Sequence, residues 1–222
     1  MAATATDSVR RLIQDGPGYN LVRQEDLSDL IPAQATPTQT SFYVRFSSVP
    51  TEQYVTVFAV PGTLLAYVDG GFGVGPRTDV DINGTFILPS APTSSLLATY
   101  QWQYFMDADI ADFVDRARGW VGGPNAYPDL TTVPDGLMPA LIDYGASLAC
   151  AAMARKCSLA DVRAGEAEAR LSALARQYAA QAQSFETSAA AASRRYWTRA
   201  DQTAAPGMDL SSIGFSQYQP MR

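Results

Sequence analysis

The sequence predicts an α+β protein: a helical bundle with one very long C-terminal helix, carrying an inserted small antiparallel β-sandwich or barrel. Three observations predict it. Apolar and polar residues alternate between residues 41 and 105, as on a half-buried strand. From 106 to 200 apolar residues recur every three to four positions, as on a helix face. Polar Pro-containing stretches at 32–40 and 201–222 carry neither period. The chain divides accordingly into an N-terminal helix and linker packing with the helical part (1–40), a β-rich domain (41–105), a helical domain (106–200) and an extended C-terminal arm (201–222).

The elements follow in order. Residues 6–15, TDSVRRLIQD, place Val9, Leu12 and Ile13 on one helical face, with Asp7 as N-cap and Gly16-Pro17 as the stop. A short apolar stretch with Leu27, Leu30 and Ile31 ends at Pro32, and PAQATPTQT is a linker. From Ser41, Phe42, Val44 and Phe46 alternate with Tyr43, Arg45 and Ser47; Val55, Val57 and Ala59 then alternate with Tyr54, Thr56 and Phe58. Pro61-Gly62, Asp69-Gly70-Gly71 and Asn83-Gly84 punctuate these strands, the last as a hairpin signal between DVDI and TFIL. SSLLATYQWQYF, 94–105, closes the β-rich section.

The helical section opens at Asp107 or Asp109, with Ile110, Phe113, Val114, Ala117, Trp120 and Val121 as one stripe and Gly122-Gly123 as its end. LMPALIDYGASLACAAMARKC, 137–157, is apolar nearly all round, which predicts burial on most sides; Pro139 belongs in its first turn. The last helix is expected to open at Ser158, with Asp161 completing a capping box, and to run to Arg199, roughly 60 Å. Leu171, Leu174, Tyr178, Ala182, Phe185, Ala189, Ala192 and Tyr196 form a packing seam along it. A helix of that length is expected to need other subunits to cover it. The arm after Asp201 carries Met, Leu, Ile, Phe and Tyr, a composition suited to ordering on a partner's surface.

Composition narrows the chemistry. The chain contains no His, which excludes His-based triads, His-ligated metals and imidazole pH switching. Its net charge of −6 argues against a general nucleic-acid-binding surface. No run approaches the ~18 consecutive apolar residues of a membrane span, and no signal peptide is apparent, so a soluble protein without membrane partners is expected. Cys150 and Cys157 lie two helical turns apart, roughly 10 Å, beyond disulfide reach, and are expected to be buried free thiols made in a reducing cytoplasm.

GGFGVGPR, 70–77, lacks the Gly-Lys-Ser/Thr ending of a phosphate-binding loop and reads as a turn. Asp107, Asp109, Asp112 and Asp115 spread around a helix and lack a calcium-loop turn. Asn83-Gly84-Thr85 matches a glycosylation sequon but is explained by the hairpin turn. Cys150, in an Ala-rich helix, has no base beside it. These residues point to no enzyme, no catalytic or metal site and no cofactor. One basic–aromatic cluster remains, Arg194, Arg195 and Arg199 around Tyr196 and Trp197. It reads first as a helix C-terminus complementing its dipole, second as a contact for an acidic protein partner and third as a contact for DNA.

In TYQWQYFMDADIADFVDRA, 99–117, an aromatic strand enters a helix; a mostly apolar helix and a long Ala-rich helix ending in RRYWTR follow. This order resembles the head–tail adaptor (head-completion, or connector) proteins of tailed bacteriophages, and VDG…DVDINGTFIL is similar to the β portion of their larger members. The resemblance covers most of residues 40–200. It implies a virion protein of the head–tail neck, synthesised in the host cytoplasm, that forms a ring, usually of twelve subunits, docked on the portal protein. DNA would pass through the lumen without specific binding, and the far side would meet the next neck or tail protein. The portal contact would fall on Arg194, Arg195, Trp197 and Arg199 and on Met208, Leu210, Ile213, Phe215 and Tyr218 of the arm. Two other functions fit the pattern: another neck, tail-terminator or baseplate component, or a carbohydrate-binding β-module on a helical stalk. In the last, Tyr43, Tyr54, Tyr67 and Phe72 would stack on sugars.

Overall fold

The computed structural model describes residues 4–15, 18–31, 41–44, 55, 57–71, 84–122, 127–164 and 168–203. Within them the chain is α+β, with small antiparallel sheets and a long C-terminal helix. The element order is α1 (Ala5–Ile13), β1 (Leu21–Asp26), β2 (Ser41–Tyr43), β3 (Phe58–Ala59), β4 (Leu65–Val68), β5 (Thr85–Ile87), β6 (Leu96–Gln103), α2 (Asp107–Gly122), α3 (Met138–Ala164) and α4 (Glu168–Thr203).

Alternating burial from Leu96 to Trp102 suits β6 to its central place: Leu96, Ala98, Tyr100 and Trp102 are buried, and Leu97, Thr99 and Gln101 are half-exposed. β1 pairs with one edge of β6, and β4 and β3 pair with the other, all antiparallel. β2 and β5 form a separate antiparallel ribbon, with Phe42 opposite Phe86. Both sheets bury side chains in one core, which contains Phe42, Phe86, Leu88, Leu96 and Tyr100. TFIL therefore forms a strand as expected, but its described partner is β2; the DVDI half of the predicted hairpin and most of 70–77 lie outside the described residues.

β1 was not foreseen. LVRQED lacks alternation, and its strand is dictated by pairing to β6, with an extra residue between Val22 and Glu25 forming a bulge where Gln24 takes φ 50°. Beyond it Leu27 is fully buried in the sheet core, and Leu30 and Ile31 pack against that core.

The helices form three layers. α1 and α2 pack on one side of α3, where Gly145 faces Val9 and Ala117. α4 packs on the opposite side: Gly136 faces Tyr196, Asp143 bonds Ser188 and Cys150 lies by Gln181. These pairings descend α3 as they ascend α4, so the two helices form an antiparallel hairpin. Burial on two opposite sides explains why α3 is apolar nearly all round. Asp135–Ala160 is long and apolar enough to cross a membrane by length and composition, with a mean hydropathy of 1.4, and half of its most apolar window is buried within the molecule.

Three helix details correct the expectations. Thr4, not Asp7, is the N-cap of α1; Asp7 is the third residue of a capping box whose carboxylate reaches back to the Thr4 N–H. Leu12 is 40% exposed, outside the stripe assigned to it. Ser158 caps nothing: it sits inside α3, because Met153, Cys157 and Ala160 carry the buried stripe of α3 past it. The last helix instead begins at Glu168 and spans 36 residues, about 54 Å. Its seam is real, with Leu171, Ala182 and Ala189 buried and Leu174, Tyr178, Phe185, Ala192 and Tyr196 half-buried. The seam is covered by α3 of the same chain, so covering that face takes no second subunit.

Candidate assembly surface

The outward side of α4 is built by the same periodicity that buries its seam. Turning about 100° per residue places Arg176, Ala180, Gln183, Ser184, Thr187, Ala191 and Arg194 opposite the seam, and all are exposed. Their hydrogen bonds stay within the helix: Arg176 Nε donates to the Ser172 carbonyl (3.2 Å), Thr187 to Gln183 (2.8 Å) and Arg195 Nε to Ala191 (3.2 Å). Between Arg176 and Arg194 the sequence holds one charged residue, Glu186. Exposed helix faces ordinarily carry mixed charges; this one carries small and neutral polar side chains with arginines at its ends.

The predicted basic–aromatic cluster separates into two layers. Arg194, Arg195 and Arg199 are exposed, whereas Trp197 is half-buried against the helical core and meets Tyr196 edge-on at 5.1 Å. Tyr196 in turn closes over Gly136, so the aromatics anchor the end of α4 to the 3-10 turn (Asp135–Leu137) that leads into α3. Trp120, at the end of α2, stacks on Tyr144 of α3 at 4.3 Å while remaining 36% exposed. Met208, Leu210, Ile213, Phe215 and Tyr218 lie outside the described residues. Of the aromatics considered for sugar stacking, Tyr43 is exposed, Tyr67 is half-buried, and Tyr54 and Phe72 lie outside the described residues.

A buried polar network joins the sheet to the helical layers, and sequence reasoning missed it. Asp15 accepts the N–H groups of Tyr104 (2.7 Å) and Phe105 (3.1 Å) at the turn from β6 to α2. Arg10 reaches Asp15 (3.3 Å), the Phe105 carbonyl (3.0 Å) and Asp107 (2.7 Å). Lys156, the chain's one lysine, donates to the Tyr104 carbonyl (2.7 Å) with its ammonium 4.5 Å from the Phe105 ring centroid. Burial raises the Asp15 pKa against the lowering pull of the Tyr104 N–H and Arg10, and burial lowers that of Lys156. The only advance signal was an Arg and an Asp spaced around the end of a short helix, a pattern shared with ordinary surface turns.

Both cysteines are buried free thiols, as expected. Desolvation pushes the Cys150 thiol up to about 11, so it holds no appreciable thiolate near neutrality. Among the described residues, no group of three or more His, Cys, Asp or Glu side chains is placed to hold a metal ion. A shallow surface recess of about 440 Å³ beside α1 is lined by Asp7, Arg10, Arg11, Asp15, Gly18 and Tyr19. Its Arg10 and Asp15 are already engaged with each other, and Asp7 with Thr4. No family model, curated protein or solved structure matches the chain.

Proposed function

We propose that this chain is a non-catalytic, self-associating structural subunit, and that its place is the head–tail adaptor of a tailed bacteriophage. The observation that carries the first part is the outer face of α4: about 54 Å of helix, packed on one side and bearing on the other neutral side chains, most of them small, between Arg176 and Arg194. The element order from β6 through α4, in which the resemblance to adaptor proteins lies, supports the second part. In this reading the helical layers build the wall of a ring that extends the DNA channel, with a neck or tail protein on the far side. The segment after Thr203, with Met208, Leu210, Ile213, Phe215 and Tyr218, grips the portal. We also read the two sheets as parts of one small sandwich or barrel, because they share a core.

The test is to mix the purified full chain with its portal protein and image the mixture by negative stain. Rings stacked coaxially on the portal are expected; a chain that neither forms rings nor binds the portal overturns the adaptor reading. Binding to the tail tube alone moves the protein to a tail-terminator position.

A further inference from the structure

We propose that the outer face of α4 docks on the outer face of α2 of a second copy of this chain. The inference rests on the self-associating reading above and adds the surfaces through which association runs.

α2 and α4 pack on opposite sides of α3, so their outer faces point away from each other. A contact between two such different faces is heterologous, and it can repeat from copy to copy. The faces are complementary in two respects.

The first is charge. α2 carries Asp107, Asp109, Asp112 and Asp115 against Arg116 and Arg118. Asp112 pairs with Arg116 across the surface, where such pairs hold little energy, whereas Asp115 is held through one oxygen by two nitrogens of Arg118, which is 19% exposed; the two acids are 53% and 66% exposed. The Asp112 carboxylate is therefore available for exchange to a partner's guanidinium, and Asp115, 66% exposed, can offer one its second oxygen while keeping Arg118 on the first. Arg194 and Arg195 of α4 are exposed, on a chain whose net charge is −6. An acidic protein gains most from contacts that bring its few basic faces to its acidic ones.

The second is shape. Ala108, Ala111, Asp112, Asp115 and Gly119 run along the exposed side of α2. Gly119 lies inside the helix, where glycine weakens it, yet a methyl group at that position would meet nothing within 4 Å. Among the described residues, no contact within the monomer explains this glycine. A close-packed partner helix does, because the missing side chain lets a second backbone approach. On α4, Ala180, Ser184 and Ala191 leave a similarly low surface. In an antiparallel register that sets Asp115 beside Arg194, Gly119 falls beside Ala191, one turn away on each helix.

The experiment is a charge exchange on the full chain, read by sedimentation velocity at low salt. Wild type is expected to associate with increasing concentration. Arg194→Glu/Arg195→Glu, Asp112→Arg/Asp115→Arg and Gly119→Gln should each weaken association about tenfold or more, with unchanged circular dichroism. Mixing the two charge-reversed proteins should restore it, an outcome that misfolding cannot imitate. Association of the reversed proteins at wild-type strength overturns this interface while leaving self-association intact. Loss of duplex DNA retention without loss of association would make α4 a phosphate-binding face and also overturn it. A wild type that remains monomeric throughout overturns both this interface and the structural reading beneath it.

Discussion

At Gly136 an added Cβ would lie 2.6 Å from the Tyr196 ring, whereas at Gly119 it would meet nothing. The same substitution should therefore have opposite signs. Gly119→Ala should stabilise the monomer by about 1 kcal/mol through helix propensity. Gly136→Ala should destabilise it by about 1–3 kcal/mol, because the ring that ties α4 to α3 must move. Urea unfolding of the two variants, measured where the wild type is monomeric, checks both. Arg10 presents a different case. Its guanidinium faces a carboxylate with 2% side-chain exposure, so Arg10→Ala leaves Asp15 charged, buried and short of a partner. A loss of about 3 kcal/mol is expected by the same measurement; a loss near that of an exposed pair would show that the two backbone N–H groups suffice for Asp15.

In the sheet, one exposed residue fixes the placement of two strands. Asp69, at φ 51° after β4, accepts the N–H groups of Thr93 (2.9 Å), Ser94 (2.6 Å) and Ser95 (3.1 Å) and both nearby hydroxyls. These bonds hold the chain entering β6 against the turn leaving β4, and they lower the Asp69 pKa well below the usual carboxylate range. A lowered folded pKa gives stability that is present above the unfolded value and lost as pH falls through the folded one. Acid unfolding below about pH 4 should therefore be shallower in Asp69→Asn than in wild type. Parallel acid titrations would contradict the latch.

β6, α2 and the α4 seam were readable because each buries one face and so prints its period in the residues. β1 was not, because its burial pattern has one buried position and its pairing partner lies over seventy residues on. The end of α3 was misplaced because Ser158 and Asp161 imitate a cap, and only burial of Cys157 and Ala160 shows the helix continuing. The exposed arginines of α4 were readable as charges, but the anchoring role of Trp197 required its contacts.

For the whole molecule, the sheet and the helical layers are two hydrophobic cores that meet at Tyr104, with the Arg10–Asp15–Lys156 network holding the joint. The long helix that suggested assembly is satisfied on its seam side by α3, which moves the case for assembly to its outer face. The central claim is that the protein works as an assembled structural subunit. Native mass spectrometry of the full chain, across a concentration series, tests this most directly. The account predicts discrete multiples of 23.8 kDa that grow with concentration and dissociate in high salt. A single 23.8 kDa species at every concentration would contradict it.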